Sequence, residues 1–217
     1  MITVIGLAWG SAYKDEVQEW WDCVQALNPP ADDIVVAYHP DDDCGVKDLP
    51  CRLVACRTRT CDAMVNAAVA EVQHGWIAPL AMDDRLYPDA FSCLPPNIDE
   101  IADVVANTLQ FKSNGGINPS APERMSQDRF HNHVMGTSWF TKDIWERTGG
   151  YPDVYWSDWG FWWKCWMHGA RWFKPAGVQV LVNDIRPNRV SSDRNIEADI
   201  EMHKFIAEYT RSRSEVR

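Results

Sequence analysis

The stretch Trp76-Ile77-Ala78-Pro79-Leu80-Ala81-Met82-Asp83-Asp84-Arg85-Leu86-Tyr87-Pro88 is an apolar run that stops at two adjacent carboxylates, with a proline four residues beyond them. A run of this length, bounded by turn residues, reads as a buried strand reaching the edge of a sheet. Just upstream, Met64, Val65, Ala68, Val69 and Val72 make one apolar helical face within residues 60–74, with Thr60 or Asp62 available as N-cap. Further back, residues 2–8 read as a first strand. Residues 14–27 read as a helix on Val17, Trp20, Trp21, Val24 and Leu27, ended by Pro29-Pro30. Residues 33–38 give a second strand that runs into His39-Pro40-Asp41-Asp42-Asp43, and residues 51–56 a third. Strands alternating with helices imply a mostly parallel, Rossmann-like sheet flanked by helices on both faces. Ligands of such sheets sit beyond the carboxyl ends of the strands, where the Asp83-Asp84 pair falls.

Downstream, Asn97-x-x-Glu100 has capping-box spacing and predicts a helix to about Gln110. Residues 112–129 are polar, hold Gly115-Gly116, Pro119 and Pro122, and show no period, so they read as a functional loop or lid. A strand is expected over residues 134–140. Thr141 caps a helix that ends at Gly149-Gly150, and Ser157 caps another that Gly169 terminates. A strand over residues 178–182 and a helix over residues 196–209 follow. No internal repeat is visible, and one domain over residues 1–217 is expected.

Nearly half of the residues are apolar and a quarter are charged, which excludes a disordered chain. No run approaches the ~18–20 apolar residues that span a bilayer, and the first residues lack the basic region and apolar core of a signal peptide, so no membrane association and a cytoplasmic setting are the expectation. Such a setting keeps the seven cysteines reduced, and their spacing is not that of a zinc site. The formal charge of −10 is uneven, with +1 over residues 186–217 and −11 before them. An acidic body opposes broad nucleic-acid binding, while Arg186, Arg189 and Arg194 leave room for a local basic groove.

Asp83 and Asp84 are hard oxygen ligands of the kind Mg2+ or Mn2+ uses when it also holds substrate phosphates; solvated turn acids are the plainer alternative. Trp159, Trp162, Trp163 and Trp166 fall three or four apart on a helix, the spacing of a core face. Trp156 precedes that helix and is the better candidate for stacking on a ligand. Ser157 and Asp158 also suit an N-cap and a first-turn acid. His131 and His133 could share a strand face and a metal, but lack Cys or His partners at a matching spacing. Dinucleotide, P-loop, hydrolase-elbow and deaminase signatures are missing.

The strand and turn at residues 76–90, with Gly136-Thr137-Ser138-Trp139-Phe140, Gly149-Gly150-Tyr151, Ser157-Asp158 and Gly169-Ala170-Arg171-Trp172, resemble family 2 nucleotide-sugar glycosyltransferases of the A-type (GT-A) fold. The resemblance runs from residue 2 to about 185. It implies a nucleotide-sugar-binding half at residues 1–95, an acceptor-side half at 96–185 with the loop 112–129, and a C-terminal helix and tail at 186–217. By position, Asp41 and Asp42 would hold the nucleotide base, and the segment 57–66, with Arg57, Arg59 and Asn66, would border the diphosphate. Asp83 takes the place of the metal-binding Asp of the DxD motif, with Asp84 and Asp184 as further metal ligands. Asp158 takes the place of the general base, and Trp156, Ser157 and Trp159 face the acceptor. Three departures stand out: Ala81 replaces the first acid of DxD, Ser157 replaces the Glu before the base, and Asp184 falls where a His is usual.

What the resemblance implies is an inverting, metal-dependent transfer from a nucleotide-diphosphate sugar, a UDP-sugar foremost, to an acceptor hydroxyl. The acceptor is a glycan, a protein or, as in some bacteriophages, a hydroxymethylated pyrimidine in DNA. The rivals are a carbohydrate-binding protein that kept the fold without catalysis, and a phosphodiesterase or nuclease using Asp83, Asp84, His131 and His133.

Overall fold

Alternation along the first strand decides which helix covers which face. In β1 (Ile2–Ala8), Val4 and Ala8 join the core under α1 (Val17–Gln25), while Ile5 and Leu7 join the core under α2 (Cys61–Ala70). The computed structural model describes residues 1–8, 10, 13–185 and 195–214, so Arg186, Arg189 and Arg194 lie outside the described residues. β2 (Asp33–Tyr38) and β4 (Trp76–Ala81) divide in the same way, with Val36 and Leu80 on one side and Val35 and Ile77 on the other. Gly6 occupies a strand interior because a Cβ there would lie 2.7 Å from Met82 Cε and 2.8 Å from the Trp20 ring. Trp20 is thereby fully buried against the sheet, worth roughly 2–3 kcal/mol for a large apolar side chain.

β1 pairs in parallel with β2 and β4, and β2 with β3 (Arg52–Ala55), which is a half-exposed edge rather than a buried strand. Beyond β4 the seven-stranded sheet continues through β9 (Trp139–Thr141), β6 (Val104–Val105) and β10 (Trp172–Phe173), in the order β10-β6-β9-β4-β1-β2-β3. Only β9 runs against its neighbours. A four-stranded sheet, β5 (Arg85–Leu86), β11 (Val180–Val182), β7 (Thr108–Phe111) and β8 (Ile117–Pro119), continues from the end of β4. This is the single-domain, mostly parallel α/β sheet flanked by helices that the sequence implied.

Several local expectations give way. The helix opening at Asn97 stops at once: α3 is Ile98–Ile101, Asn97 makes no side-chain cap, and β6 and β7 take the rest. Asp103 explains the break, since its Oδ2 accepts from the backbone N–H (2.8 Å) and Nε (3.1 Å) of Arg171 and so draws the chain into pairing with β10. Residues 112–129 are less irregular than expected, because β8 folds back on β7 and residues 122–124 make a 3-10 turn. The strand expected over 134–140 shrinks to β9. Thr60 is the N-cap residue of α2 but its hydroxyl makes no capping bond. α4 (Lys142–Thr148) is as read, with Thr141 Oγ1 accepting from Ile144 N–H and Gly149 closing it at φ +71°. α5 (Ser157–Met167) has Trp156, not Ser157, as N-cap residue, and α6 (Ile196–Ser214) outruns its expected end.

The tryptophan-rich helix is chiefly core. Phe161 and Trp162 are fully buried, and Tyr151 stacks on Phe161 at 4.3 Å. All seven cysteines are free. No described helix is long and apolar enough to cross a membrane.

Candidate functional site

The carboxyl end of β2 leads into His39, whose ring is buried. Its Nδ1 accepts from Asp41 N–H at 3.3 Å and lies 3.4 Å from Arg59 Nη2; its Nε2 then donates to the Arg57 carbonyl at 3.2 Å. Arg59 Nη1 also sits 3.6 Å from Asp42 Oδ2. Asp41, Asp42, Arg57 and Arg59 are thus gathered around one imidazole where β1, β2 and β3 end. His39 was singled out in the sequence only as part of an acidic turn. The signal for it was its place directly after a buried strand.

At the end of β4, Asp84 N–H bonds the Ala81 carbonyl at 3.0 Å and closes the turn that carries Asp83 and Asp84, both nearly buried. Arg85 locks this turn to the start of α1. Its Nη1 donates to the Met82 and Asp84 carbonyls at 2.8 and 2.9 Å, and its Nη2 to Glu16 at 2.7 Å. Sequence reasoning passed over Arg85 because the carboxylate it pairs with, Glu16, lies 69 residues away.

Asp158 stands in the first turn of α5. Asn132 Nδ2 donates to its Oδ2 at 3.0 Å, and Cys61, at the start of α2 just beyond β3, lies near enough for the Asp158 charge to act on its thiol. Burial pushes the Asp158 carboxyl above its ordinary value, against the opposing pull of the Trp159 N–H, Asn132 and its own N–H. A carboxylate held in one orientation and made more basic than usual is what proton abstraction from a hydroxyl needs.

No family model matches the chain, and no curated protein matches it. Among solved structures, residues 1–349 of S. aureus TarS in complex with UDP-GlcNAc superpose with a TM-score of 0.76 at 14% identity, over 95% of this chain and 65% of that one. The same protein in complex with UDP gives 0.70. The mannosyltransferase PcManGT from Pyrobaculum calidifontis, in complex with GDP-Man and Mn2+, gives 0.59 at 18% identity, over 87% of this chain and 57% of that one. The fold is that of the GT-A-like glycosyltransferases. The chain spans less than two thirds of the length of these structures, 65% and 57%.

Within this GT-A-like sheet the residues singled out from sequence separate into those at the strand ends and those held elsewhere. Asn66 is tied away from the strand ends, with its Oδ1 accepting from Trp145 Nε1 and Tyr151 N–H and its Nδ2 donating to the Tyr151 carbonyl, each at 2.9 Å. It fastens α2 to the Gly149-Gly150-Tyr151 turn. Asp184 accepts from the backbone N–H of Ser113 at 2.8 Å and from its hydroxyl, holding the turn between β7 and β8. Asp84 Oδ1 takes the Asn183 N–H at 3.1 Å. No group of three metal-binding side chains occurs among the described residues. Asp83 and Asp84, adjacent in the turn after β4, are carboxylates of the chemistry that suits a hard cation taking its remaining ligands from a diphosphate and water.

At the head of α5, Ser157 and Trp159 are buried, and the Trp159 ring meets His203 edge-on at 5.6 Å, so neither presents a surface to a ligand. Trp156 is half-buried and donates through Nε1 to Asp199 at 3.0 Å, with the exposed Tyr155 against it. His131 and His133 both turn to Asp128, at 2.7 Å from its Oδ2 and 3.0 Å from its carbonyl, and form no cluster with Asp83 and Asp84. A groove of about 510 Å³ beside α6, lined by Val154, Ile200, Lys204 and Phe205, contains none of the site residues.

Proposed function

We propose that this chain transfers a sugar from a nucleotide-diphosphate sugar to an acceptor hydroxyl with inversion, Asp158 acting as the base. The observation that carries the reading is the half-buried Asp158 carboxylate at the head of α5, held through Oδ2 by the Asn132 amide at 3.0 Å, with its pKa pushed up by desolvation. Similar folds in complex with UDP-GlcNAc, UDP and GDP-Man with Mn2+ support a nucleotide-sugar donor, a UDP-sugar foremost.

Asp42 with Asp41 would receive the base and ribose, and Arg57 and Arg59 would add charge-assisted hydrogen bonds to the diphosphate. Asp83, assisted by Asp84, would hold a Mn2+ or Mg2+ ion, whose charge stabilises the diphosphate leaving group. Asp158 accepts the acceptor's hydroxyl proton as the oxygen attacks the anomeric carbon opposite the departing diphosphate. The Trp156 side receives the acceptor, a glycan, a protein or a hydroxymethylated pyrimidine in DNA. A soluble, cytoplasmic enzyme fits this reading.

Thermal stabilisation by a panel of nucleotide sugars, with and without Mn2+, on wild type and Asp83→Ala tests it. Metal-dependent stabilisation by one nucleotide class, lost in the variant, supports the donor site. Stabilisation by no donor contradicts it, and sugar binding without turnover favours the carbohydrate-binding reading that Ala81 and Ser157 suggest.

A further inference from the structure

We propose that Asn132 is the positioning residue of the site, aiming the Asp158 carboxylate and keeping it ionised. The inference rests on Asp158 being the base, and deepens that reading. Asn132 lies in an irregular segment, yet its amide has one available orientation. Its Oδ1 accepts from Val134 N–H at 3.1 Å, so its Nδ2 is the end presented to Asp158 Oδ2 at 3.0 Å. The neighbours fix the backbone on both sides: the His133 carbonyl accepts from Ala121 N–H at 2.7 Å, Met135 N–H donates to the buried Ser120 Oγ at 3.1 Å, and Val134 is fully buried. Asn132 is therefore a donor held on a fixed mount.

The surroundings leave this bond a defined task. Burial raises Asp158, and a neutral carboxyl cannot take a proton from the acceptor. A hydrogen bond from an uncharged amide favours the ionised form without adding a cation that would quench its basicity. The other titratable groups facing Asp158 are Cys61 and Tyr151. Desolvation, more than the Asp158 charge, pushes the Cys61 thiol up to about 12 although the residue as a whole is exposed, and burial raises Tyr151 further. Both stay protonated through neutral pH. His131 and His133, the imidazoles on either side of Asn132, are both turned to Asp128.

Carbon-13 NMR of the aspartate carboxyls, with the Asp158 signal assigned by its loss in Asp158→Asn, follows the titration without needing an acceptor. In Asn132→Ala the Asp158 midpoint rises by about one pH unit, the size of a lost charge-assisted hydrogen bond. In Asn132→Asp, which retains the Val134 bond and sets a like charge beside Asp158, it rises further. The acid limb of nucleotide release from the donor moves with it, while donor KM stays unchanged. A midpoint unmoved in both folded variants overturns the proposal even where Asp158→Asn abolishes turnover. Turnover that survives Asp158→Asn overturns instead the base reading beneath it.

Discussion

A Cβ placed on Gly136 would lie 3.1 Å from Oδ2 of Asp158, the oxygen that Asn132 holds. The glycine leaves the space in which the carboxylate sits, and an added methyl forces that carboxylate off its aim. Gly136→Ala is expected to lower nucleotide release by roughly 10- to 100-fold, as small misplacements of catalytic groups do, with little change in Tm. Full activity in Gly136→Ala would show that the Asp158 position is not critical.

Asp158→Asn separates activity from stability. Turnover should fall by at least about 100-fold with donor affinity retained. The native pKa of Asp158 lies above its unfolded value, so between the two the folded state binds more protons and stability falls as pH rises. Removing that charge should raise Tm at pH 7–8, and the gain should fade as the pH falls toward 4, near the ordinary carboxylate value. Calorimetry across pH checks it, and a variant less stable than wild type at pH 8 contradicts it.

Arg59 links Asp42 and His39 at the strand ends. Arg59→Gln removes one charge-assisted contact to the donor and is expected to weaken donor affinity by about tenfold, with kcat nearly unchanged. Titration calorimetry with nucleoside diphosphate measures it, and an unchanged affinity would remove Arg59 from the donor site.

Asp103 carries the opposite pH signature. Burial pushes its carboxyl up, but the Arg171 hydrogen bonds, and then the charges of Arg171 and Arg147, outweigh burial and hold it below the usual carboxylate value. Stability from this group is present above the unfolded pKa and lost as pH falls through the lower native one. Asp103→Asn should lower Tm by about 3 °C at pH 7, with the difference closing below about pH 3. Melting curves over pH 2–7 decide it.

What was legible in the sequence follows from where the determinants lie. β1, β2 and β4 are continuous apolar runs whose strand character is local, and α1 and α2 carry their period in Trp20, Val24, Met64 and Val69. The helix expected from Asn97 was misread because Ile98, Ile101 and Val105 mimic helical spacing, while the deciding contact, Asp103 with Arg171, spans 68 residues. The site divides likewise. Asp83 and Asp158 were marked by their place after a strand and at the head of a helix. Asn132 acts through Asp158, 26 residues away, and left no local mark, whereas His39 and Arg85 combine local partners with distant ones, Arg57 and Glu16. The contacts of Asn66, to Trp145 and Tyr151, are likewise distant in sequence and could not be read locally.

The most direct test of the account is release of nucleoside diphosphate from a UDP-sugar by wild type and Asp158→Asn under identical conditions, with donor binding measured on both. The account predicts metal-stimulated release by wild type, and donor binding without release by the variant. Release by Asp158→Asn at the wild-type rate, or a wild type that neither binds nor cleaves any nucleotide sugar, would contradict it.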